Sequence, residues 1–219
     1  MAALLRAAAD ASYPATVTLV LSNNPDAPGL DIARAAGIPA AAIDHRRFGR
    51  DRAAHEAALA EALDAAGTEI VCLAGYLRLL TPYLVGRYAG RMLNIHPSLL
   101  PAFPGLDTHA RALAAGVQQH GCTVHLVTES MDAGPILAQA AVPVIPGDNA
   151  DTLAARVLAQ EHVLYPRALR DFIEGQGQGS FTPLLKERGP GALPPAEVQE
   201  AESAARIRAA KRTDGQRSG

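Results

Sequence analysis

Residues 69–75 read Glu69-Ile70-Val71-Cys72-Leu73-Ala74-Gly75, and the fold turns on them. A half-exposed strand alternates apolar with polar positions, whereas this run is apolar from Ile70 to Ala74. It reads as an interior strand covered on both faces, the condition of parallel strands under two layers of helix. The same grammar repeats in both directions. Upstream, Asp51 to Ala65 reads as a helix, Ile38–Ile43 as a short extended piece, and Gly29 to Ala36 as another helix. Before these, Thr16-Val17-Thr18-Leu19-Val20-Leu21 is a buried strand closed by the turn Ser22-Asn23-Asn24-Pro25. Downstream, Thr81-Pro82 caps a short helix, and Met92-Leu93-Asn94-Ile95-His96 is a second interior strand running into Pro97. Two extended runs, Thr123–Thr128 and Pro135–Val144, are joined by 129–134 like a hairpin. The last strong element is a long helix from Asn149 to about Ile173, with Leu153, Val157, Leu158, Val163 and Leu164 mainly on one face. Strand and helix taking turns from Met1 to Glu174 predicts an α/β domain, an open, mostly parallel, doubly wound sheet.

Composition narrows the partners. The chain has 219 residues, with 20 Lys and Arg against 22 Asp and Glu, five Tyr, four Phe and no Trp. A nucleic-acid binder carries a basic surplus and stacking aromatics, and neither is present in bulk. The hydrophobic share of 48% is enough for a core. No apolar run approaches the roughly 18 residues of a membrane span. The opening Met1–Arg6 has charge and apolar residues in the wrong order for a signal peptide, so a cytoplasmic protein is expected. Cys72 and Cys122 sit in apolar runs with no His or Cys at metal-ligand spacing, so both read as buried free thiols and no metal site is expected.

The densest cluster of unusual residues is Asn94-Ile95-His96-Pro97-Ser98-Leu99-Leu100-Pro101, followed by Phe103-Pro104-Gly105. Residues two apart on a strand share a face, so Asn94 and His96 point together at the carboxyl end of the sheet, where open α/β sheets place their sites. An amide and an imidazolium aimed at one spot stabilise an oxyanion forming at a carbonyl carbon. Taken alone, an Asn-x-His reads first as a strand end whose polar groups satisfy the next loop. Asp132, on a turn followed by Ala133-Gly134-Pro135, is the third candidate. A carboxylate held near His96 favours the charged ring and keeps a proton available for transfer. The prolines after His96 stiffen that loop, and Leu100-Pro101 is a candidate cis bond. Ser98 lacks the Gly-x-Ser-x-Gly setting of a nucleophile. His125 alternates within a strand and reads as buried near the site, while His45, His55, His120 and His162 read as structural or surface residues.

Taken together, Asn94–Pro101, Pro104-Gly105, Thr108-His109, Gly121-Cys122-Thr123-Val124-His125, Met131-Asp132-Ala133-Gly134-Pro135 and Gln160-Glu161-His162 closely resemble the folate-dependent formyltransferases. The resemblance runs from about Met1 to Glu174 and is best to members that formylate glycinamide ribonucleotide in purine biosynthesis. It implies Asn94, His96 and Asp132 as catalytic residues, 10-formyltetrahydrofolate as donor, and direct transfer to the amine. It further implies a folate site made by Arg52, Leu77, Arg78, Leu79, Leu80 and Asn94 with Thr128, Glu129, Ser130, Met131 and Asp132. Glycinamide ribonucleotide would meet Leu158, Ala159, Gln160 and Glu161. Small molecules are the implied partners, with the protein a monomer or homodimer. Relatives acting on a sugar nucleotide or aminoacyl-tRNA share the catalytic groups but usually carry an appended domain. His109 matches a family His, whereas Asp107 stands where relatives often have His.

Both ends depart from the family. Ala2–Ala11 is helical in composition with no capping residue before it, and a helix feeding a buried strand normally follows an earlier strand. Relatives have that strand, with a Gly-rich turn ending Gly-Ser-Asn whose amides hold the substrate phosphate. The expectation is therefore a sheet missing its first, interior strand, with two neighbours exposed and the chain unstable or inactive unless the native product starts further upstream. A truncated folate-binding paralogue is the alternative. Beyond Glu174 the sequence turns Gly- and Pro-rich, so residues 175–219 read as a weakly ordered tail, with Ala196–Arg212 helical at most.

Overall fold

Every residue of β3 (Ile70–Ala74) is buried, because helices cover both faces of this strand. Side chains alternate across a strand. Ile70, Cys72 and Ala74 enter a core with Leu4 of α1 (Ala2–Ala8), Leu30 of α2 (Pro28–Ala35) and Leu169 of α6 (Ala150–Gly177). Val71 and Leu73 enter a second core with Leu59 and Leu63 of α3 (Arg52–Ala65) and Leu84 of α4 (Pro82–Arg87). The apolar run thus does what its composition requires. The computed structural model describes residues 1–177 and 203–209.

The sheet is ordered β2-β1-β7-β3-β4-β5-β6. Its remaining strands are β1 (Ala15–Ser22), β2 (Ala40–Ala42), β4 (Met92–His96), β5 (Gln119–Leu126), β6 (Ile136–Pro143) and β7 (Ser203–Ala209). β1 with β2 and β3 with β4 are parallel, and the other neighbours are antiparallel. Followed through these pairings, β1, β2, β3, β4 and β6 run one way, and β5 and β7 run the other. The sheet is mostly parallel in direction, and the two extended runs form the expected hairpin, β5–β6, which the structure places beside β4.

Two elements lack a strong sequence signal. A 3-10 turn covers His45–Phe48, started by Asp44, whose carboxylate accepts from the Arg46 amide. α5 (Thr108–Ala114) is short and buries only Thr108 and Ala112. α6 runs longer than its apolar stripe, carries Pro166, and reaches three residues past the expected boundary at Glu174. The Tyr165 hydroxyl reaches the carbonyls of Leu73 at 2.9 Å and Leu93 at 3.0 Å, seating the helix against the two strands that end at the site.

The C-terminal segment corrects one expectation. Ser203–Ala209 is a strand, not part of a helix, and it pairs antiparallel with both β1 and β3. The slot expected to lie open between those strands is filled. Two facing ladders of unpaired backbone groups outweigh the helical propensity of an Ala- and Arg-rich segment. The rest of the expected tail, 178–202 and 210–219, lies outside the described residues. Among those described, no helix is long and apolar enough to cross a membrane. Both cysteines are buried free thiols, with the Cys72 thiol pushed up to about 12 by burial.

Candidate active site

β4 delivers Asn94 and His96 to the carboxyl end of the sheet, and β5 runs antiparallel beside it with His125 directly opposite Asn94. Facing residues of such a pair are close enough for side chains to meet. The Asn94 amide nitrogen lies 3.2 Å from His125 Nε2. The other nitrogen of that ring, Nδ1, lies 2.9 Å from the Leu126 carbonyl. A carbonyl only accepts, so Nδ1 carries the hydrogen. Burial lowers the pKa of His125, outweighing the pull of Asp132 in the other direction. The neutral ring therefore presents a bare Nε2, and Asn94 donates to it. One hydrogen of the Asn94 amide is used in this way, and the second is left for another acceptor.

His96 is only 6% exposed. Its Nε2 lies 3.0 Å from the Phe103 carbonyl, so this nitrogen is the donor that orients the ring. Nδ1 faces Asp132 Oδ2 at 3.5 Å. That separation exceeds an ordinary N–H···O bond of roughly 2.9–3.0 Å. Asp132 thus stands beside Nδ1 without making a full hydrogen bond to it.

Asp132 reaches this position from the turn between β5 and β6. Its φ is +52°, and the Gly105 amide donates to its Oδ2 at 2.8 Å. Oδ1 lies 3.7 Å from His125 Nε2. Two residues on, a Cβ at Gly134 would stand 1.8 Å from the Leu126 carbonyl oxygen, so only glycine lets the turn close there. The loop after His96 is held from the hairpin. Thr123 donates to the Ser98 carbonyl and accepts from the Leu100 amide and Gln139, and Leu100-Pro101 is cis. The Ser98 hydroxyl, fully buried, donates to the Ala102 carbonyl at 2.6 Å and cannot serve as a nucleophile. Beneath the loop, Phe103, His109 and His120 meet edge to face. Burial, then the neighbouring His120 and His96, push His109 down to about 4.

The other expected site residues divide. Thr128, Glu129, Ser130 and Met131 share the turn that carries Asp132. Leu77 and Leu79 stand exposed on the segment after β3, while Leu80 turns inward with Tyr76 to line an apolar cleft with Leu73, Leu84 and Met92. Such walls suit a flat aromatic ring. Glu161 lines a second cleft with Ala74, Gly75 and Ile95, at the ends of β3 and β4. Arg52 opens α3, and Leu158, Ala159 and Gln160 precede Glu161 on α6; the hydrogen bonds of Asn94, His96 and Asp132 do not reach them. The orienting role of the Phe103 carbonyl was not legible, since it resides in backbone geometry.

Residues 1–169 match the model of the formyl transferase family. The chain belongs to the formyl transferase family. It is 47% identical over 161 residues to the phosphoribosylglycinamide formyltransferase of Escherichia coli (strain K12), covering 74% of this chain and 76% of that one. The crystal structure of phosphoribosylglycinamide formyltransferase from Brucella melitensis is 56% identical, with a TM-score of 0.74 over 78% of this chain and 88% of that one. A formyltetrahydrofolate deformylase from Pseudomonas syringae pv. tomato is more distant at 29% identity, with a TM-score of 0.73 over 79% of this chain and 57% of that one. As a formyl transferase, the chain presents the amide and imidazole donors at the end of an interior strand.

Proposed function

We propose that this protein transfers the formyl group of 10-formyltetrahydrofolate to the amine of glycinamide ribonucleotide, a step of purine biosynthesis. One observation carries the reading: Asn94, His96 and Asp132 converge with His125 at the end of β4, bringing the Asn94 amide, the Nδ1 edge of His96 and a carboxylate to one place. The similarity to phosphoribosylglycinamide formyltransferases selects the amine.

The free Asn94 hydrogen and the His96 ring hold the formyl oxygen as the amine nitrogen bonds to the formyl carbon and negative charge gathers on that oxygen. The proton lost by the amine moves along the Asp132–His96 edge to the folate nitrogen as its bond to the formyl carbon breaks, and the oxygen returns to a carbonyl. No bond to the enzyme is made. Arg52, Leu77, Arg78, Leu79, Leu80 and the 128–132 turn take the donor, and Leu158, Ala159, Gln160 and Glu161 take the ribonucleotide. We assign the chemistry to residues 1–174, with Ser203–Ala209 completing the sheet between β1 and β3, in a cytoplasmic monomer or homodimer.

The test is transfer by the protein isolated from its own cells, supplied with both substrates. Tetrahydrofolate and formylated ribonucleotide should appear in equal amounts. Formate release without formylated amine would make the protein a hydrolase instead.

A further inference from the structure

Seven residues, 75–81, join the end of β3 to the start of α4, and they emerge at the same edge of the sheet as His96. Among the described residues, Leu77 to Leu80 make no backbone hydrogen bond. Leu77 and Leu79 are 65% and 60% exposed. While Tyr76 and Leu80 pack on the core beneath it, the backbone of this segment is therefore held at its two ends. Gly75 fixes the first, in the left-handed region at φ +69° as it leaves the strand. Glu56 fixes the second.

Glu56 lies on α3 and is 1% exposed. Its two carboxylate oxygens receive the Thr81 amide at 2.7 Å and the Thr81 hydroxyl at 2.5 Å. Thr81 stands at the N-cap of α4, yet its side chain makes no bond to that helix and is spent on Glu56. Burying a carboxylate is unfavourable unless its oxygens are bonded. Here both bonds go to one residue, the last of the segment, so the carboxylate clamps a single point. The neighbouring His55 is also buried, bonds the Ile43 carbonyl through Nε2, and feels the charge of Arg78 on the same segment.

We infer that Glu56 is a positioning residue for formyl-donor binding, clamping Thr81 so that Leu77–Leu80 stand where the donor meets them. The inference rests on the reading of 77–80 as donor-binding. Glu56 touches neither the reacting atoms nor the catalytic trio, so its loss acts on the affinity for one substrate.

The experiment compares the wild-type full chain with Glu56→Ala, Glu56→Gln and Thr81→Val. Glu56→Ala should raise KM for 10-formyltetrahydrofolate about tenfold, with kcat and KM for glycinamide ribonucleotide within about twofold. Glu56→Gln keeps one acceptor for the amide and offers a donor to the hydroxyl, so it should restore most of the donor affinity. Thr81→Val should shift the same constant in the same direction, and the double variant should be no worse than Glu56→Ala, because both break one clamp. Equal changes in both KM values, a fall in kcat alone, or a Gln variant as poor as Ala would overturn the inference. Amide hydrogen exchange over 76–81 gives a readout independent of turnover: exchange should quicken in Glu56→Ala and Thr81→Val and stay near wild type in Glu56→Gln. Unchanged exchange in the first two overturns the clamp. Absent transfer by wild type refutes the proposed function and leaves the clamp to be judged by exchange.

Discussion

Asn94 and His125 face each other across the β4–β5 ladder with 3.2 Å between the amide nitrogen and Nε2, and the backbone of Leu126 decides which of them donates. The amide is thereby aimed before any substrate arrives. An aimed dipole costs no reorganisation when charge develops, which is the basis of oxyanion stabilisation. His125→Ala should release the amide and lower kcat roughly 10- to 100-fold, the order of loss that a misplaced catalytic group brings. His125→Gln, which supplies an acceptor of similar reach on a more flexible side chain, should recover part of the rate. Steady-state kinetics of the two variants check this.

Asp132 faces both rings, at 3.5 Å from His96 Nδ1 and 3.7 Å from His125 Nε2. Asp132→Asn keeps an oxygen for the Gly105 amide but removes the negative charge beside His96. Turnover should fall about 10²–10⁴-fold, the range of a lost general acid–base partner, while thermal melting moves little. A variant that melts normally and turns over normally would remove Asp132 from proton transfer.

Acid should weaken the fold through His109. Its folded pKa is lowered from 6.5 to about 4 by burial first and then by His120 and His96. Between those values the unfolded chain holds the extra proton, so the stabilisation is present above pH 6.5 and is lost as pH falls toward 4. With discounting for partial exposure, the difference is roughly 1–3 kcal/mol. Denaturant midpoints measured across that window should fall less steeply in His109→Gln than in wild type.

β7 pairs with β1 on one side and β3 on the other. Ending the chain after Gly177 would leave two ladder edges in the middle of the sheet without partners, a condition that promotes association between chains. The shortened protein should melt at lower temperature and exchange the amides of β1 and β3 faster. Melting and exchange equal to those of the full chain would show that the slot does not depend on β7.

The sheet was legible because its signals are local. The apolar run 70–74 demanded cover on both faces, and the helix 52–65 carried its own cap in Asp51, which accepts from the Ala54 amide. α5 was not, since seven residues with two buried side chains make no stripe. β7 departs from its local signal for a different reason: Ala and Arg favour helix, and only the gap between β1 and β3, far away in sequence, makes a strand of them. At the site, Asn94 and His96 could be paired from strand period alone, and Asp132 from the Gly and Pro that fix its turn. What orients them could not, because His96 is held by the Phe103 carbonyl, Asn94 by a His125 ring fixed on the Leu126 carbonyl, and Asp132 by the Gly105 amide, which no side-chain pattern encodes.

The central claim is that His96, held by Phe103 and facing Asp132, helps carry a formyl group from folate to an amine. Single-turnover transfer from 10-formyltetrahydrofolate to glycinamide ribonucleotide, with protein from its own cells and its His96→Ala variant, tests this most directly. The account predicts transfer by the native protein and a loss on the order of 10²–10³-fold or more in a variant that keeps its fold, as when an oxyanion donor is removed. Undiminished transfer by His96→Ala, or none by the folded native protein, would contradict it.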